Sequence, residues 1–241
     1  MIGIIGFGRF GRLMTEYLAG DFTVEVFSRS DKSAEIAQTG AVSATLAEAC
    51  GQKVVILSVP ISAMREMLKQ ISPLLRPDAV VADVCSVKVY PVEWMEKLLP
   101  ASVSILATHP MFGPDSAAES LLDRKIVLSK VRIDDDPYGK IKGYLSGKGL
   151  NVIEATPEAH DRQIAVSLSL THFIGRALDE FGAPELMIDT EGYKRLLHIL
   201  GVVTHDTWRL FMDMHQYNPY ARENRQAFMA AMRRLDERLE R

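Results

Sequence analysis

The chain has 241 residues, 47% of them hydrophobic and 24% charged, which is the composition of a folded globular protein and not of a disordered one. A formal net charge of -3 predicts no basic surface for nucleic acid, and no apolar run reaches the length of a membrane span. The two cysteines, Cys50 and Cys85, have no metal-ligand spacing, so we expect no metal site. We expect a cytoplasmic protein with a small-molecule ligand.

Short runs rich in Val and Ile alternate with helical patterns through the first ~155 residues, which predicts an open, doubly wound parallel sheet of the Rossmann type. The predicted strands are Met1–Ile5, Thr23–Phe27, Val54–Val59, Ala79–Asp83, Val103–Thr108, Lys125–Leu128 and Asn151–Ala155. After Thr156 the strand-like runs stop and only helical patterns follow. We therefore predict a dinucleotide-binding domain at 1–156 and a smaller, all-helical substrate and dimerisation domain at 157–241.

The helical part carries more apolar residues than a small domain buries easily. Between Thr190 and His215 they recur close to helical spacing, which predicts one long, largely buried helix. The surplus of apolar side chains favours a homodimer that packs through these helices. The alternative is the core of a monomer.

A glycine motif opens the chain directly after the first predicted strand. Its three glycines permit a tight turn, close approach of a pyrophosphate and close packing of helix on strand, while the helix N-terminus faces the phosphates. The predicted cofactor-binding residues of this region are Gly6, Gly8, Arg9, Phe10 and Gly11, together with Ser58 and Pro60 near the end of the third predicted strand.

The end of the second predicted strand decides the cofactor. Enzymes that use NAD place an acidic residue here for the ribose hydroxyls, but this chain has Ser28, Arg29 and Ser30. Hydroxyls and a guanidinium suit the 2′-phosphate of NADP, so we predict NADP. The alternative is that Arg29 is a solvated loop residue and that Asp31 binds the ribose.

Two further segments follow strands of the predicted sheet, at the edge where such sheets bind ligands. They are Asp83–Lys88 and Thr108–Pro114, and the second contains His109. A histidine has an ordinary pKa near neutrality and is suited to act as a general base. A structural or surface role is the alternative for any single histidine.

These residues resemble the prephenate and arogenate dehydrogenases of tyrosine biosynthesis, most closely the plant-type arogenate dehydrogenase branch. The matching segments are the glycine motif, Asp83–Lys88, Thr108–Pro114, His160–Asp161, Thr171–Arg176 and Asn218–Glu223. The resemblance implies a Rossmann domain followed by a helical domain that dimerises. It also implies oxidative decarboxylation of a cyclohexadienol. With the predicted cofactor, the expected reaction is the NADP-dependent conversion of arogenate to tyrosine.

In this reaction, the resemblance implies that neutral His109 accepts the proton of the ring hydroxyl while hydride leaves the carbinol carbon. Ser86 is expected to orient His109 or the substrate hydroxyl, with a helix N-cap as its alternative role. For Lys88, the alternative to a functional role is a solvated residue in the first turn of a helix.

The resemblance also implies substrate-binding residues in the helical domain. His172 and Arg176 lie four residues apart on one helix face, and Arg176 and Arg222 are the candidates for the substrate carboxylates. Asp206 is the nearest match to the acidic residue that favours arogenate over prephenate. The alternative is that it only caps or lies on the surface of the long helix. For His160–Asp161, the alternative is a pair at a helix start.

Three alternatives remain open at this point. The first is a prephenate dehydrogenase that forms 4-hydroxyphenylpyruvate. The second is another short reductase of the β-hydroxyacid or imine-reducing kinds, which the segment around His109 disfavours. The third is an NADP-binding protein that has lost its chemistry.

Overall fold

The computed structural model describes residues 1–240, which form eight strands and twelve α-helices. The strands are β1 (Ile2–Ile5), β2 (Val24–Phe27), β3 (Val42–Ser43), β4 (Val54–Leu57), β5 (Val80–Asp83), β6 (Ser104–Pro110), β7 (Lys125–Arg132) and β8 (Asn151–Glu154). The helices are α1 (Arg9–Ala19), α2 (Ser33–Gln38), α3 (Leu46–Cys50), α4 (Ile61–Ile71), α5 (Val89–Leu98), α6 (Pro114–Ala117), α7 (Asp135–Gly147), α8 (Pro157–Ser167), α9 (Ser169–Phe181), α10 (Glu191–Thr204), α11 (Trp208–Gln216) and α12 (Ala221–Leu239). The chain divides into two compact units, Met1–Pro157 and the segment from Glu158 onward.

All eight strands belong to one sheet with the order β3-β2-β1-β4-β5-β6-β7-β8. Its middle strands read as continuous Val and Ile runs because both of their faces are covered, as in β1, where all four residues are buried. The Rossmann-type α/β fold predicted from the sequence is thereby confirmed.

Two details of the sheet differ from the prediction. Strand β7 runs antiparallel to β6, because their connection contains only the four-residue α6 and no crossover helix that would return the chain to the same end. Strand β3 was not predicted, since Val42–Ser43 is a two-residue edge strand with exposed side chains. The parallel pairing is confirmed for the other neighbouring strands.

The second unit consists of helices within the described part of the chain. The prediction of one long, buried helix from Thr190 to His215 is wrong, because α10 ends at Thr204 and α11 begins at Trp208. Thr207 starts the new helix, since its side chain accepts a hydrogen bond from the backbone N–H of Leu210. The apolar periodicity continues across the break and so conceals it.

The burial of these two helices is also lower than predicted. Val203 is the buried residue of α10, and α11 buries Phe211, Asp213 and Met214. No helix within residues 1–240 combines the length and the apolar character needed to cross a membrane.

Candidate functional site

The glycine motif forms the turn between β1 and α1. Gly6 has a φ of 107°, and a Cβ there would lie 2.2 Å from the Ser58 carbonyl oxygen, so both the conformation and the space require glycine. A Cβ on Gly11 would lie 2.3 Å from the Gly6 carbonyl oxygen, which brings α1 close against the turn. Around Gly8, at the N-cap of α1, no atom lies within 4 Å of the added Cβ. This open helix N-terminus fits a pyrophosphate.

Three further residues were predicted to bind the cofactor: Ser58, Pro60 and Phe10. Ser58 follows β4 and contacts the turn at Gly6, while Pro60 is exposed at the start of α4. Phe10 packs against Phe112 with 6.0 Å between the ring centroids.

Arg9 forms a half-exposed ion pair with Asp115 in the segment after β6, with 2.7 Å between Nη2 and Oδ1. Its guanidinium therefore has a protein partner beside the phosphate turn. A bound anion would have to share or replace that partner.

The residues predicted to favour NADP over NAD follow the end of β2. Arg29 and Ser30 are exposed and Ser28 is partly buried. Asp31 accepts hydrogen bonds from the backbone N–H and the hydroxyl of Ser33, and these bonds hold the pKa of its carboxyl below the ordinary value. One oxygen of Asp31, Oδ1, is thus committed to the start of α2.

The ends of β5 and β6 are joined by a buried polar network. Lys88 and Asp83 form an ion pair in which both side chains are 0% exposed, and the Lys88 ammonium also donates to the Thr108 carbonyl oxygen at 2.5 Å. Asp83 accepts from the backbone N–H of Cys85 and of Thr108. The interpretation of Lys88 as a solvated residue is wrong. Asp83 lies in a segment predicted at the ligand-binding edge of the sheet, but its pairing with Lys88 was not predicted. The available signal was an aspartate at a buried strand end with a lysine five residues later.

His109 lies in β6 and is 5% exposed. Side chains alternate between the faces of a strand, so His109 shares a face with Ala107, which pairs with Asp83 on β5. The base candidate therefore lies on the same face of the sheet as the Asp83–Lys88 pair. The hydrogen bonds to the backbone N–H and carbonyl oxygen of Thr108 fix the chain one residue before His109.

Ser86 does not cap a helix, since Lys88 occupies the N-cap position of α5. Its hydroxyl oxygen is buried and has no hydrogen-bond partner within residues 1–240, so the expected bond to His109 is not formed. A buried hydroxyl without a partner carries a desolvation cost that a ligand group can remove. The hydroxyl of Ser86 is therefore available to a substrate hydroxyl, which is the second of its two expected roles.

Three of the predicted substrate-binding residues come together in the helical unit. His172 and Arg176 lie on α9, and Nε2 of His172 is 3.8 Å from Oδ2 of Asp206, in the link between α10 and α11. Arg176 donates through Nη2 to the carbonyl oxygens of Val203 and Asp206, at 3.0 and 2.5 Å. Asp206 therefore lies in the break between α10 and α11 and is not on the surface of one long helix.

His172 is neutral at physiological pH. Its burial and the nearby Arg176 lower its pKa from 6.5 to about 4, so its contact with Asp206 is not an ion pair at pH 7. His215 on α11, which the sequence analysis missed, behaves in the same way, because burial, Arg225 and His172 lower its pKa to about 4. In the sequence, His215 is marked only by its position four residues after Phe211, which places both residues on one face of a helix.

Buried nitrogens without partners mark the same region. Nδ1 of His172, Nε of Arg176 and Nε2 of His215 form no hydrogen bond with any described residue. Unsatisfied buried polar atoms are rare in native proteins, and each calls for an explanation such as a ligand. Two of the three belong to predicted substrate-binding residues.

The remaining predicted residues are not part of this group. Arg222 is exposed in the first turn of α12. His160 and Asp161 are buried in α8, where Nδ1 of His160 lies 2.7 Å from Oδ1 of Asp161. Asn218 donates to the Asp161 carbonyl oxygen, which ties α8 to the segment before α12. The pair lies inside α8 and links elements of the helical unit.

Comparisons with known proteins show which family this chain resembles. A family model described as "Prephenate dehydrogenase, nucleotide-binding domain" matches residues 21–153, more than half of the chain, and one described as "TYRAAT1-like, C-terminal domain" matches residues 177–241. The Arabidopsis thaliana proteins "Arogenate dehydrogenase 1, chloroplastic" and "Arogenate dehydrogenase 2, chloroplastic" are 32% and 33% identical over 99% and 92% of the chain. The chain spans only 39% and 65% of the length of these two relatives.

A solved structure supports the fold. Prephenate dehydrogenase from A. aeolicus, in complex with hydroxyphenyl propionate and NAD⁺, superposes with a TM-score of 0.78 at 21% identity, covering 97% of this chain and 88% of that one. At this identity the likeness establishes the fold alone. Together with the family match across the nucleotide-binding unit and the two plant relatives, it leads to one conclusion. The chain belongs to the prephenate/arogenate dehydrogenase family.

Proposed function

We propose that this protein catalyses the NADP-dependent oxidative decarboxylation of arogenate to tyrosine. The observation that carries the proposal is a pair of buried polar groups on neighbouring strand ends: His109 in β6, and the unpartnered hydroxyl of Ser86 in the connection that follows β5. The names of the two Arabidopsis relatives support arogenate as the substrate.

The cofactor is NADP⁺, which accepts the hydride when bound. The turn at Gly6, Gly8 and Gly11 and the open N-terminus of α1 would hold its pyrophosphate. Arg29 and the hydroxyls of Ser28 and Ser30 would bind its 2′-phosphate. The bonds from Ser33 to Asp31 support this choice, because they occupy a carboxylate oxygen that an NAD enzyme would offer to the ribose.

His109 takes the proton of the ring hydroxyl in its neutral form, which prevents positive charge from developing on that oxygen as hydride departs. The hydroxyl of Ser86 forms a hydrogen bond with the same substrate oxygen. The carboxyl group on the ring leaves as carbon dioxide, its bonding electron pair enters the ring, and the ring becomes aromatic.

The helical unit supplies groups for the carboxylates of the substrate. Nε of Arg176 is a buried donor without a partner and Nδ1 of His172 is a buried ring nitrogen without one, and a carboxylate can accept from each nitrogen that carries a proton. Arg222, exposed at the start of α12, is the second arginine proposed for a carboxylate.

Asp206 favours arogenate because a carboxylate attracts the ammonium group of arogenate and not the keto group of prephenate. We expect Asp206→Asn to lower kcat/KM for arogenate and to raise it for prephenate. Steady-state rates with both substrates measure the change. Equal relative efficiencies in the variant and the wild type would contradict the role of Asp206.

The role of His109 is tested by His109→Ala, with the exposed His198→Ala as the matched control. We expect turnover to fall by about a thousandfold or more in His109→Ala, the range in which a general base acts. NADPH binding, followed by its fluorescence, stays within about threefold of wild type because the glycine turn is unchanged. If wild type binds NADPH and oxidises neither arogenate nor prephenate, the protein is a non-catalytic NADP-binding protein instead.

We also propose a homodimer formed through the helical unit. Its apolar side chains include Phe181, Met187 and Ile188, which are 79%, 97% and 88% exposed. Apolar side chains exposed to this degree and close together in sequence usually mark a contact surface.

A further inference from the structure

Helices α9 and α10 meet at a point where only glycine fits. A Cβ on Gly175 would lie 2.4 Å from Cγ2 and 3.2 Å from Cγ1 of Val203. Val203 is 1% exposed and is the buried residue of α10. The contact between these two residues therefore sets how closely the C-terminal end of α10 approaches α9.

The backbone beyond Val203 is held by the residue after Gly175. Arg176 donates to the carbonyl oxygens of Val203 and Asp206, and its guanidinium carbon lies 5.5 Å from the ring centroid of Trp208. These contacts tie the segment from the end of α10 to the start of α11 onto α9 at three points. Movement of Val203 thus carries Asp206 with it.

Asp206 faces His172, one helical turn before Gly175. The separation of 3.8 Å between Oδ2 of Asp206 and Nε2 of His172 depends on the approach of the two helices. Their side chains come from different elements and are 33% and 7% exposed. The geometry of this pair is therefore a direct consequence of the packing at Gly175.

We propose that Gly175 is a specificity-determining position, which places the Asp206 carboxylate where it distinguishes an ammonium group from a keto group on the substrate. This inference rests on the proposed function. Gly175 has no side chain and acts only through position, by allowing Val203 and the segment that follows it to lie close to α9.

The test is Gly175→Ala, with Val203→Ala as a second change that removes the two nearest methyl groups, so that, of the three nearest atoms, only Cγ2 of Ile199, at 3.3 Å, still lies close to the new Cβ. A misplacement of about 1 Å at a reacting site costs up to about a hundredfold in rate. We expect Gly175→Ala to lower the ratio of kcat/KM for arogenate to that for prephenate by about tenfold or more. The double variant should return the ratio to within about threefold of wild type.

Gly201→Ala on α10 is the matched control, because no atom lies within 4 Å of a Cβ at that position. We expect its substrate ratio to equal that of wild type. Melting temperatures of all four proteins show whether each is folded. A crystal structure of Gly175→Ala should show the His172–Asp206 separation increased from 3.8 Å.

Three outcomes overturn the inference. The first is an unchanged substrate ratio in folded Gly175→Ala while Asp206→Asn changes it, which leaves the proposed function intact. The second is a lowered ratio that Val203→Ala does not restore. The third is an unchanged ratio in Asp206→Asn as well, which removes the proposed role of Asp206 and the inference with it.

Discussion

Lys88 and Asp83 carry opposite charges inside the nucleotide-binding unit, and neither side chain is exposed. Burying two charges has a large desolvation cost, which is offset here by their mutual attraction and by hydrogen bonds to the Thr108 carbonyl and the backbone N–H of Cys85 and Thr108. Removal of one partner leaves the other charge buried alone. Loss of either residue alone is therefore expected to destabilise the strand end that carries His109.

We predict that Lys88→Met lowers the free energy of unfolding by about 3–5 kcal/mol, the usual cost of breaking a buried ion pair. The double variant Asp83→Asn, Lys88→Met should recover part of this loss because no charge remains buried. Urea denaturation measures both. Lys97→Met, at a side chain that is 72% exposed, is the control, and a loss in Lys88→Met no larger than that of this control would contradict the burial of the pair.

The burial of Lys88 could not be predicted from the sequence. The motif around Lys88 identified the segment, but helical composition alone suggested a solvated first-turn lysine. Its burial depends on Thr108, twenty residues away on another strand. By contrast, the requirement for glycine at Gly6 is local, and the sequence predicts it correctly.

Helices α9 and α11 each bury one histidine in its neutral form, His172 and His215. The pKa of His172 and of His215 is about 4 in the folded protein, against 6.5 ordinarily. Above about pH 6.5 both are neutral whether folded or unfolded. As the pH falls from about 6.5 toward 4, the unfolded chain binds protons that the folded chain does not, so folding loses stability.

The expected slope is up to about 1.4 kcal/mol per pH unit for each of these histidines within that window. His215→Gln removes one of the two groups and should make the fall in unfolding free energy between about pH 6.5 and 5 shallower. The exposed His198→Gln serves as its control. Denaturant titrations at several pH values measure the slopes, and identical slopes in His215→Gln and wild type would contradict the neutral burial of His215.

The break between α10 and α11 shows what helical periodicity hides. Apolar residues recur without interruption from Tyr193 to Met212, so the pattern predicts one helix. The hydrogen bond to the Thr207 side chain starts a second one, and Arg176 holds the carbonyl oxygens at the end of the first. The latter contact comes from a different helix and has no signature in the sequence of the break.

For the molecule as a whole, periodicity and glycine spacing were sufficient to predict an α/β unit followed by a helical unit. The antiparallel direction of β7 depends on the short connection around α6, which composition does not reveal. The predicted residues of the glycine turn do come together. Of the four substrate-binding predictions, His172, Arg176 and Asp206 do so, whereas Arg222 stands apart on α12.

We predict that the protein in solution has twice the mass of one chain. The double variant Met187→Glu, Ile188→Glu should shift it toward the monomer, because charges would replace two exposed apolar side chains of the helical unit. Leu122→Glu, at a residue 66% exposed in the other unit, should leave the mass unchanged. Light scattering coupled to size-exclusion chromatography measures all three, and a wild-type mass of one chain would exclude the dimer.

We propose that this chain oxidises arogenate with NADP⁺. Initial rates of reduced-cofactor formation, with arogenate or prephenate and with NADP⁺ or NAD⁺, are the decisive measurement. We expect the highest kcat/KM for arogenate with NADP⁺, and tyrosine as the product. Reduction of neither cofactor, or a clear preference for prephenate or for NAD⁺, would show that the proposed activity is wrong.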